Sequence, residues 1–178
     1  MTITPTEIEG LFLLSPIIRN DERGSFFKNY HLDTFENQKL PTHWAEEYFS
    51  VSQKNVLRGM HFQVPPSDHY KMVTCLTGTV LDVVVDIRKA SPSYGKVYST
   101  ELNSNNRSIL IIPHGCAHGF LSLEDNSLMF YKVSTVYSPE HDKGIAWDSI
   151  DFDWTIENPI LSERDNMHPP LKDFKSPF

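Results

Sequence analysis

The sequence predicts an all-β domain, built as a sandwich or a barrel of short strands. Runs of β-branched and apolar residues with a period of two recur along the chain, and the clearest is 80–87, Val-Leu-Asp-Val-Val-Val-Asp-Ile. Turn signals such as Pro65-Pro66, Thr77-Gly78 and Ser138-Pro139 separate these runs at close spacing. Helical patterning is scarce, and 12 prolines punctuate the 178 residues. This combination is typical of all-β sandwiches and barrels.

Taken in chain order, the patterns predict one short helix and then five strands. The helix is expected over 32–37, and a second helical turn begins at Ser162. The strands are expected over 55–63, 71–76, 80–87, 108–112 and 128–135. The nearly continuous apolar run in the third of these indicates a strand covered on both faces. The Pro-rich, polar segment 165–178 is expected to wrap the surface as an irregular tail.

Length and charge narrow the class of protein. A chain of 178 residues predicts a single domain over 1–178. Sixteen basic and 23 acidic residues give a formal net charge of -7, which disfavours binding to nucleic acid or to an anionic membrane. Two cysteines make no disulfide framework, and no signal peptide or bilayer-spanning apolar run is visible. We therefore expect a soluble cytoplasmic protein.

Two polar side chains stand where the predicted strands suggest a cavity wall. His61 lies in Val-Leu-Arg-Gly-Met-His-Phe-Gln (56–63), and period two puts it on one face with Gly59 and Gln63. The glycine suggests a bulge or a close backbone approach. Lys71 leads the next strand on an otherwise apolar face, which is unusual unless that face lines a cavity. The alternative is a hydrogen-bonded strand histidine and a solvated lysine at a strand end.

The stretch 113–120, Pro-His-Gly-Cys-Ala-His-Gly-Phe, resembles the second sequence motif of cupins, a Pro-x-Gly-x-x-His turn between two strands. A metal-binding cupin also needs a His-x-His pair and a carboxylate in its first motif. Here His61-Phe-Gln63 offers one histidine, and Lys71 stands where that motif has its glutamate. Because an ammonium group is not a metal ligand, we expect no bound metal. Lys71 is instead a candidate to stabilise a developing oxyanion.

Further candidates lie on the later segments. Tyr131 shares a predicted strand face with Tyr137, so both phenols point into one cavity unless they only pack on each other. Asp165 ends the capping-box-like sequence Ser-Glu-Arg-Asp, and its alternative is an acid in the first turn of a short helix. Asp82 and Asp86 interrupt the strongest strand, and acids in such a position are paired or functional.

Together these segments resemble the nucleotide-sugar 3,5-epimerases, typified by dTDP-4-dehydrorhamnose 3,5-epimerase. The resemblance covers nearly the whole chain and includes several motifs in the same order: 21–27, 56–63, 80–96, 113–120, 144–147 and 159–165. It implies a cupin-like double-stranded β-helix (jelly roll) with short peripheral helices. It also implies a homodimer with exchanged N-terminal strands, and no metal or organic cofactor.

The resemblance assigns a role to four catalytic positions. His61 corresponds to the general base and Asp165 to the acid that orients its imidazole. Lys71 corresponds to the cation beside the C4 oxygen of the sugar, and Tyr131 to the acid on the opposite face. These types suit the inversion of a carbon next to a ketone, since one group removes a proton and the other returns it. The implied substrate is a nucleotide-linked 4-keto-6-deoxy sugar, used in deoxysugar and polysaccharide biosynthesis.

The resemblance also implies substrate-binding positions. They comprise basic residues, two aromatic residues that sandwich the base, and polar neighbours: Arg23, Phe26, Lys28, Arg58, His118, Tyr137, Asp142 and Arg164. Several departures fall here, because Lys28 replaces a glutamate, Glu46-Glu47-Tyr48 replaces Gln-Asp-Asn, and His69 replaces a glutamine. The catalytic positions are unchanged, so the departures predict altered specificity. The alternatives are a single-site epimerase on another nucleotide sugar, a metal cupin oxygenase, and a sugar-nucleotide binding module without activity.

Overall fold

The computed structural model describes all 178 residues, Met1 to Phe178. The first strands are β1 (Thr2–Pro5), β2 (Phe12–Ser15), β3 (Ile18–Asp21), β4 (Gly24–Phe27), β5 (Glu46–Ser52) and β6 (Leu57–Gln63). The later strands are β7 (Lys71–Thr77), β8 (Thr79–Asp86), β9 (Val97–Asn103), β10 (Ile109–Ile112), β11 (Cys116–Ser122), β12 (Ser127–Val133) and β13 (Asp142–Gly144). The helices are α1 (Leu32–Asn37) and α2 (Glu163–Asn166), with 3₁₀ turns at Trp147–Ser149 and Leu171–Asp173.

Two antiparallel sheets form the body of the fold. The six-stranded sheet has the order β1-β2-β10-β7-β12-β5, and the five-stranded sheet has the order β13-β6-β11-β8-β9. Strands β3 and β4 form a separate hairpin. The chain crosses repeatedly between the two sheets, which is the connectivity of a jelly roll. The prediction of an all-β, cupin-like jelly roll with short peripheral helices is therefore confirmed.

The central core lies between the sheets. Val73 and Met129 of the six-stranded sheet pack in one buried cluster with Val84 and Phe120 of the five-stranded sheet. Each of these side chains is no more than 1% exposed. Burial of such a side chain stabilises the fold by about 1.5–3 kcal/mol, so this layer fixes how the sheets face each other. A cavity that opens between the sheets therefore has rigid walls.

The outer faces of both sheets are covered as well. Helix α1 packs Phe35 on the six-stranded sheet, against Met72 and Phe130. The C-terminal segment covers the five-stranded sheet, with Phe174 5.0 Å from Phe62 between ring centroids. This double coverage explains the continuous apolar run of β8, which is an interior strand of its sheet. The expectation of an irregular surface tail was wrong in part, because the tail's apolar side chains belong to this packed layer.

The predicted helix over 32–37 and the five predicted strands all appear, with ends that differ by no more than two residues. The patterns did not resolve β1 to β5, β9, β11 and β13 as separate strands; β11 is fully buried, but its first residues belong to the stretch 113–120 that was interpreted as a turn motif. Most of these are short, exposed or at a sheet edge, so little of their sequence faces a core. No helix combines the length and the hydrophobicity that crossing a bilayer requires.

Candidate active site

A cavity of about 430 Å³ opens between the two sheets. The five-stranded sheet contributes Arg58 and His61 from β6 and His118 from β11 to its wall. The six-stranded sheet contributes Lys71 from β7 and Tyr131 from β12. The polar side chains therefore enter one volume from two opposite walls, although the surrounding strands are apolar.

Gly59 determines the path of β6 just before His61. Its φ of +139° is a conformation that other residues rarely adopt. A Cβ at this position would lie 2.5 Å from the Cα of Gly119 on β11, so the two backbones meet only because both residues are glycines. The β6–β11 register shifts at the same place. The close approach and the bulge predicted from the sequence are both present, and they precede the histidine directly.

His61 and Asp165 form a hydrogen-bonded pair. The Nε2 atom of His61 lies 2.6 Å from Oδ1 of Asp165, while Oδ2 accepts the N–H of Gly59 at 3.3 Å. The hydroxyl of Ser162 accepts the N–H of Asp165, which is half of a capping box. The carboxylate does not complete the box but turns to the histidine. Asp165 is therefore more than an acid in a first helical turn.

The protonation states of this pair follow from burial and charge. Burial lowers the pKa of His61, and the nearby Lys71 and Arg164 lower it further, while Asp165 acts in the opposite direction. Burial by itself would raise the pKa of Asp165, but its contacts with His168, His61 and the Gly59 N–H hold that pKa well below the usual range. At neutral pH the site therefore holds an uncharged imidazole against an ionised carboxylate. The second nitrogen of that imidazole is free to accept a proton.

Lys71 is buried, with 8% of its surface exposed, so the alternative of a solvated strand end is wrong. Burial lowers the pKa of its ammonium group to about 8, and Asp82 and Asp142 partly counter that effect. The side chain is still charged at neutral pH. A buried cation without a direct ion-pair partner is suited to hold negative charge that develops on a bound molecule.

Tyr131 lies on the wall opposite His61. Its hydroxyl is 3.0 Å from the hydroxyl of Ser50, and its ring stacks on Tyr48, with ring centroids 4.7 Å apart and 15° between the planes. Burial raises the pKa of the Tyr131 phenol well above its usual value. It also raises the pKa of Tyr48 to about 12. Both phenols are therefore protonated donors, and Tyr131 stacks on Tyr48 rather than on Tyr137.

Five of the predicted substrate-binding residues line the cavity: Arg58, His118, Tyr137, Asp142 and Arg164. Arg164 pairs with Asp142 at 2.8 Å, and Arg58 donates to the hydroxyl of Ser52 and to the Val51 carbonyl. His118 is buried, with Nε2 2.9 Å from Asp82.

The other three predicted residues do not line the cavity of this chain. Arg23, Phe26 and Lys28 lie in or beside the β3–β4 hairpin and are exposed. Arg23 pairs with Asp21 at 2.6 Å, and Phe26 is 63% exposed. Phe26 therefore belongs to none of the buried hydrophobic clusters of its own chain. The prediction that these residues bind substrate stays a prediction.

The cavity also contains residues that were not named as site residues. Glu46, Tyr48, Gln63 and His69 line it, and burial lowers the pKa of His69 to about 3, so this imidazole is uncharged. His168 lies behind Asp165 and does not line the cavity. Only its spacing of three residues from Asp165, just beyond the end of α2, would have drawn attention to it.

One cluster has the composition of a metal site. The donor atoms of His61, Asp165 and His168 lie within 4.8 Å of one another. Two ligands bound at 2.0–2.1 Å to a tetrahedral ion stand about 3.3 Å apart, whereas the His61–Asp165 distance is 2.6 Å. That distance fits a hydrogen bond. The charged Lys71 on the facing wall further disfavours a divalent cation.

Comparisons with known proteins give one consistent answer. The family model for dTDP-4-dehydrorhamnose 3,5-epimerase matches residues 5–173. The chain is 39% identical over 168 residues to dTDP-4-dehydrorhamnose 3,5-epimerase from Shigella flexneri, covering 93% of each chain. It is 38% identical over 168 residues to dTDP-4-dehydrorhamnose 3-epimerase from Streptomyces niveus, covering 93% of this chain and 81% of that one.

Among solved structures, dTDP-4-dehydrorhamnose 3,5-epimerase from Elizabethkingia anophelis NUHP1 superimposes with a TM-score of 0.92 at 34% identity, covering 97% of both chains. The resemblance read from the motifs and the expected enzyme class, an isomerase, are thereby confirmed. The chain belongs to the dTDP-4-dehydrorhamnose 3,5-epimerase family.

Proposed function

We propose that the protein inverts C3 and C5 of a dTDP-linked 4-keto-6-deoxy sugar by removing and returning protons, as a step of deoxysugar biosynthesis. The observation that carries the proposal is the placement of an uncharged His61 and a protonated Tyr131 on opposite walls of one cavity, with the buried cation of Lys71 on the same wall as Tyr131. Inversion requires a base on one face of the carbon and an acid on the other. The cavity contains a candidate for each, His61 as the base and Tyr131 as the acid.

His61 is the proposed base. A hydrogen on the carbon next to a ketone is acidic only because the resulting charge moves onto the ketone oxygen. Asp165 holds Nε2 of the imidazole, so the other nitrogen takes the substrate proton. The carboxylate then stabilises the imidazolium that forms. Burial keeps the pKa of His61 below its usual value, so the base is uncharged at neutral pH.

Lys71 is the proposed partner of the C4 oxygen. The oxygen gains negative charge as the enolate forms, and the ammonium group supplies a fixed positive charge at a buried position. The proposed reaction therefore needs no metal ion or organic cofactor. Tyr131 returns a proton to the opposite face of the planar enolate, and Ser50 holds its hydroxyl. The product then carries the inverted configuration.

We propose that the nucleotide diphosphate lies at the mouth of the cavity, where Arg58, Arg164 and Tyr137 stand. The guanidinium groups suit a diphosphate, because their paired donors match phosphate oxygens. The exposed ring of Tyr137 offers a flat surface for the base. His118 and Asp142 extend this polar surface toward Lys71.

We propose that the protein is a homodimer in which the β3–β4 hairpin of a second copy covers this mouth. In such a dimer, Arg23, Phe26 and Lys28 would line the cavity of the second copy, whereas they do not line the cavity of their own chain. Phe49 and Val51 on the edge strand β5 are 60% and 55% exposed, and they offer an apolar surface to the second copy.

We also propose that residues 1–178 form one domain in the cytoplasm, where the two unpaired cysteines suit a reducing compartment.

A second candidate is epimerisation at a single carbon. The observation that favours it is Tyr48, which stacks on the proposed acid and narrows the space around it. The similarity to a 3-epimerase is nearly equal to the similarity to a 3,5-epimerase, so identity does not separate the two activities.

The experiment is a proton-exchange assay by NMR in heavy water with dTDP-4-keto-6-deoxyglucose and no added metal. Deuterium at both C3 and C5 is the expected result. Deuterium at one carbon supports the single-site candidate. Absence of label with this substrate and with the CDP, GDP and UDP analogues, in a folded sample, contradicts the proposed function.

A further inference from the structure

His168 occupies a slot that the fold leaves open for an imidazole. It lies one residue beyond the C-cap of α2, Met167. The next residue is tied to the segment that follows β13, because the Pro169 carbonyl accepts the N–H of Ala146 at 2.8 Å. Gly144 on β13 faces the ring, and a Cβ there would overlap three of its atoms. Gly144 is also the register partner of His61 on β6. A glycine beside the proposed base therefore makes room for a second histidine.

The buried nitrogen of this ring, Nε2, faces no hydrogen-bonding group except Asp165, the acid of the proposed base pair. Nε2 of His168 is buried and has no hydrogen-bond partner at normal distance. It faces Oδ1 of Asp165 at 3.6 Å, and the same oxygen lies 2.6 Å from Nε2 of His61. The two imidazoles meet edge to face, with centroids 5.6 Å apart. A small shift of either side chain completes a second hydrogen bond to the shared oxygen.

The surroundings favour a donor rather than an acceptor at this nitrogen. The carboxylate is ionised, so an Nε2–H faces it favourably and a lone pair would be repelled. Packing by itself does not explain the residue, because a phenyl ring fills a similar volume without burying an unpaired nitrogen.

We propose that His168 is a positioning residue that donates its Nε2–H to Asp165 and so limits the negative charge that this carboxylate presents to His61. The proposal rests on the proposed function of His61 as a base. A carboxylate shared by two donors stabilises the imidazolium of His61 less than an unshared one does. His168 therefore helps to keep the base uncharged near neutral pH.

Other charged and titratable groups face His61 and stay in place when His168 is changed. They are Asp165 and Arg164 on α2, Asp142 on β13, His118 on β11, Lys71 on β7, and Tyr131 on the opposite wall. Their contribution is common to all the variants below, so a difference between variants reports on His168.

The test replaces His168 by Phe, which keeps a ring without a donor, and by Gln, which keeps an N–H donor. The readout is the pKa of the His61 ring by NMR in the free protein, together with the pH profile of exchange. In His168→Phe the carboxylate serves His61 alone, so we expect this pKa to rise by on the order of 0.5–1 unit. The acid limb of the profile then moves to higher pH, and exchange at a pH well below both pKa values falls about three- to tenfold. His168→Gln restores both values toward those of the unmodified protein.

The control is His114→Phe. His114 does not line the cavity, and its Nδ1 atom pairs with a carboxylate oxygen of Asp68 at 2.7 Å. An unchanged His61 pKa in His168→Phe overturns the proposal, and so do equal shifts in the Phe and Gln variants. If the Phe variant does not fold, ¹⁵N NMR of the unmodified protein decides, since the proposal requires the Nε2–H tautomer of His168 and the Nδ1–H tautomer contradicts it. The ring pKa does not depend on turnover, so absence of exchange in the unmodified enzyme overturns the proposed function separately.

Discussion

Replacement of Lys71 by Met tests the electrostatic part of the mechanism. The substitution removes the charge, keeps an unbranched side chain of similar length and leaves the apolar strand around it unchanged. Burial lowers the pKa of this ammonium group from 10.5 to about 8. At about 1.4 kcal/mol per pKa unit, this burial disfavours the charged form of Lys71 by about 3 kcal/mol. An enolate oxygen beside the ammonium group relieves that cost.

The expected loss of rate follows from the same number. A contribution of about 3 kcal/mol to the transition state corresponds to a 10²- to 10³-fold fall in exchange, which is also typical for the loss of one oxyanion donor. The pH profile gives a second signature. Lys71 has to be charged, so kcat/KM of the unmodified enzyme falls above about pH 8, and this alkaline limb disappears in Lys71→Met. Thermal stability is expected to be unchanged or higher, because a buried charge is removed.

The assay is exchange in heavy water followed by NMR from pH 5 to 9, with thermal unfolding of each sample. Lys132→Met is the matched control, since Lys132 is a cation on the neighbouring strand that pairs with Glu47 at 3.3 Å and does not line the cavity. Exchange in Lys71→Met within tenfold of the unmodified rate, or an alkaline limb that persists in this variant, would refute the role assigned to Lys71.

Four further tests address separate parts of the site. Tyr131→Phe is expected to slow inversion more than exchange, since enolisation survives without the acid, and equal losses by NMR contradict that division. Tyr48→Asn removes the ring stacked on Tyr131, so we expect the ratio of label at C3 to label at C5 to change; a constant ratio means that Tyr48 does not affect the site of protonation. Lys28→Glu reverses a charge that the proposed dimer places near the nucleotide, so relative affinities for dTDP, CDP, GDP and UDP should shift in calorimetry, and unaltered affinities exclude a role for Lys28 in nucleotide choice. Phe26→Ala and His61→Asn are each expected to lose activity, and a mixed dimer should regain it because one cavity then has both residues; no recovery in a verified mixed dimer rules out an exchanged hairpin.

Three of the strands that border the cavity, β6, β7 and β12, were predictable because their burial leaves a strong pattern. Both faces of β8 are covered, which explains its nearly continuous apolar sequence. His61 within β6 and Lys71 at the start of β7 were identified because each is a polar residue in an otherwise apolar strand pattern. Strands β3 and β4 carry mainly exposed residues, so neither face gives a pattern to read. Local pattern predicts an element only where packing constrains its sequence.

The contacts between site residues could not be predicted from the strand patterns alone. His61 and Asp165 are 104 residues apart, and no spacing rule predicts a 2.6 Å contact at that separation. The family resemblance brought them together because it compares whole motifs in order. The motifs themselves did not predict that Phe26 and Arg23 lie outside the cavity of their own chain, since a motif does not say where its residues lie in the fold. His168 was missed because a single histidine after a short helix has many ordinary explanations.

The most direct test of the mechanism is the rate of deuterium uptake by dTDP-4-keto-6-deoxyglucose with His61→Asn, compared with the unmodified enzyme and with the exposed-site control His43→Asn. If His61 removes the proton, label enters C3 or C5 with the unmodified enzyme and with the control, and uptake with His61→Asn falls to the rate without enzyme. Near-normal uptake with a folded His61→Asn contradicts the assignment of the base, and with it the central claim.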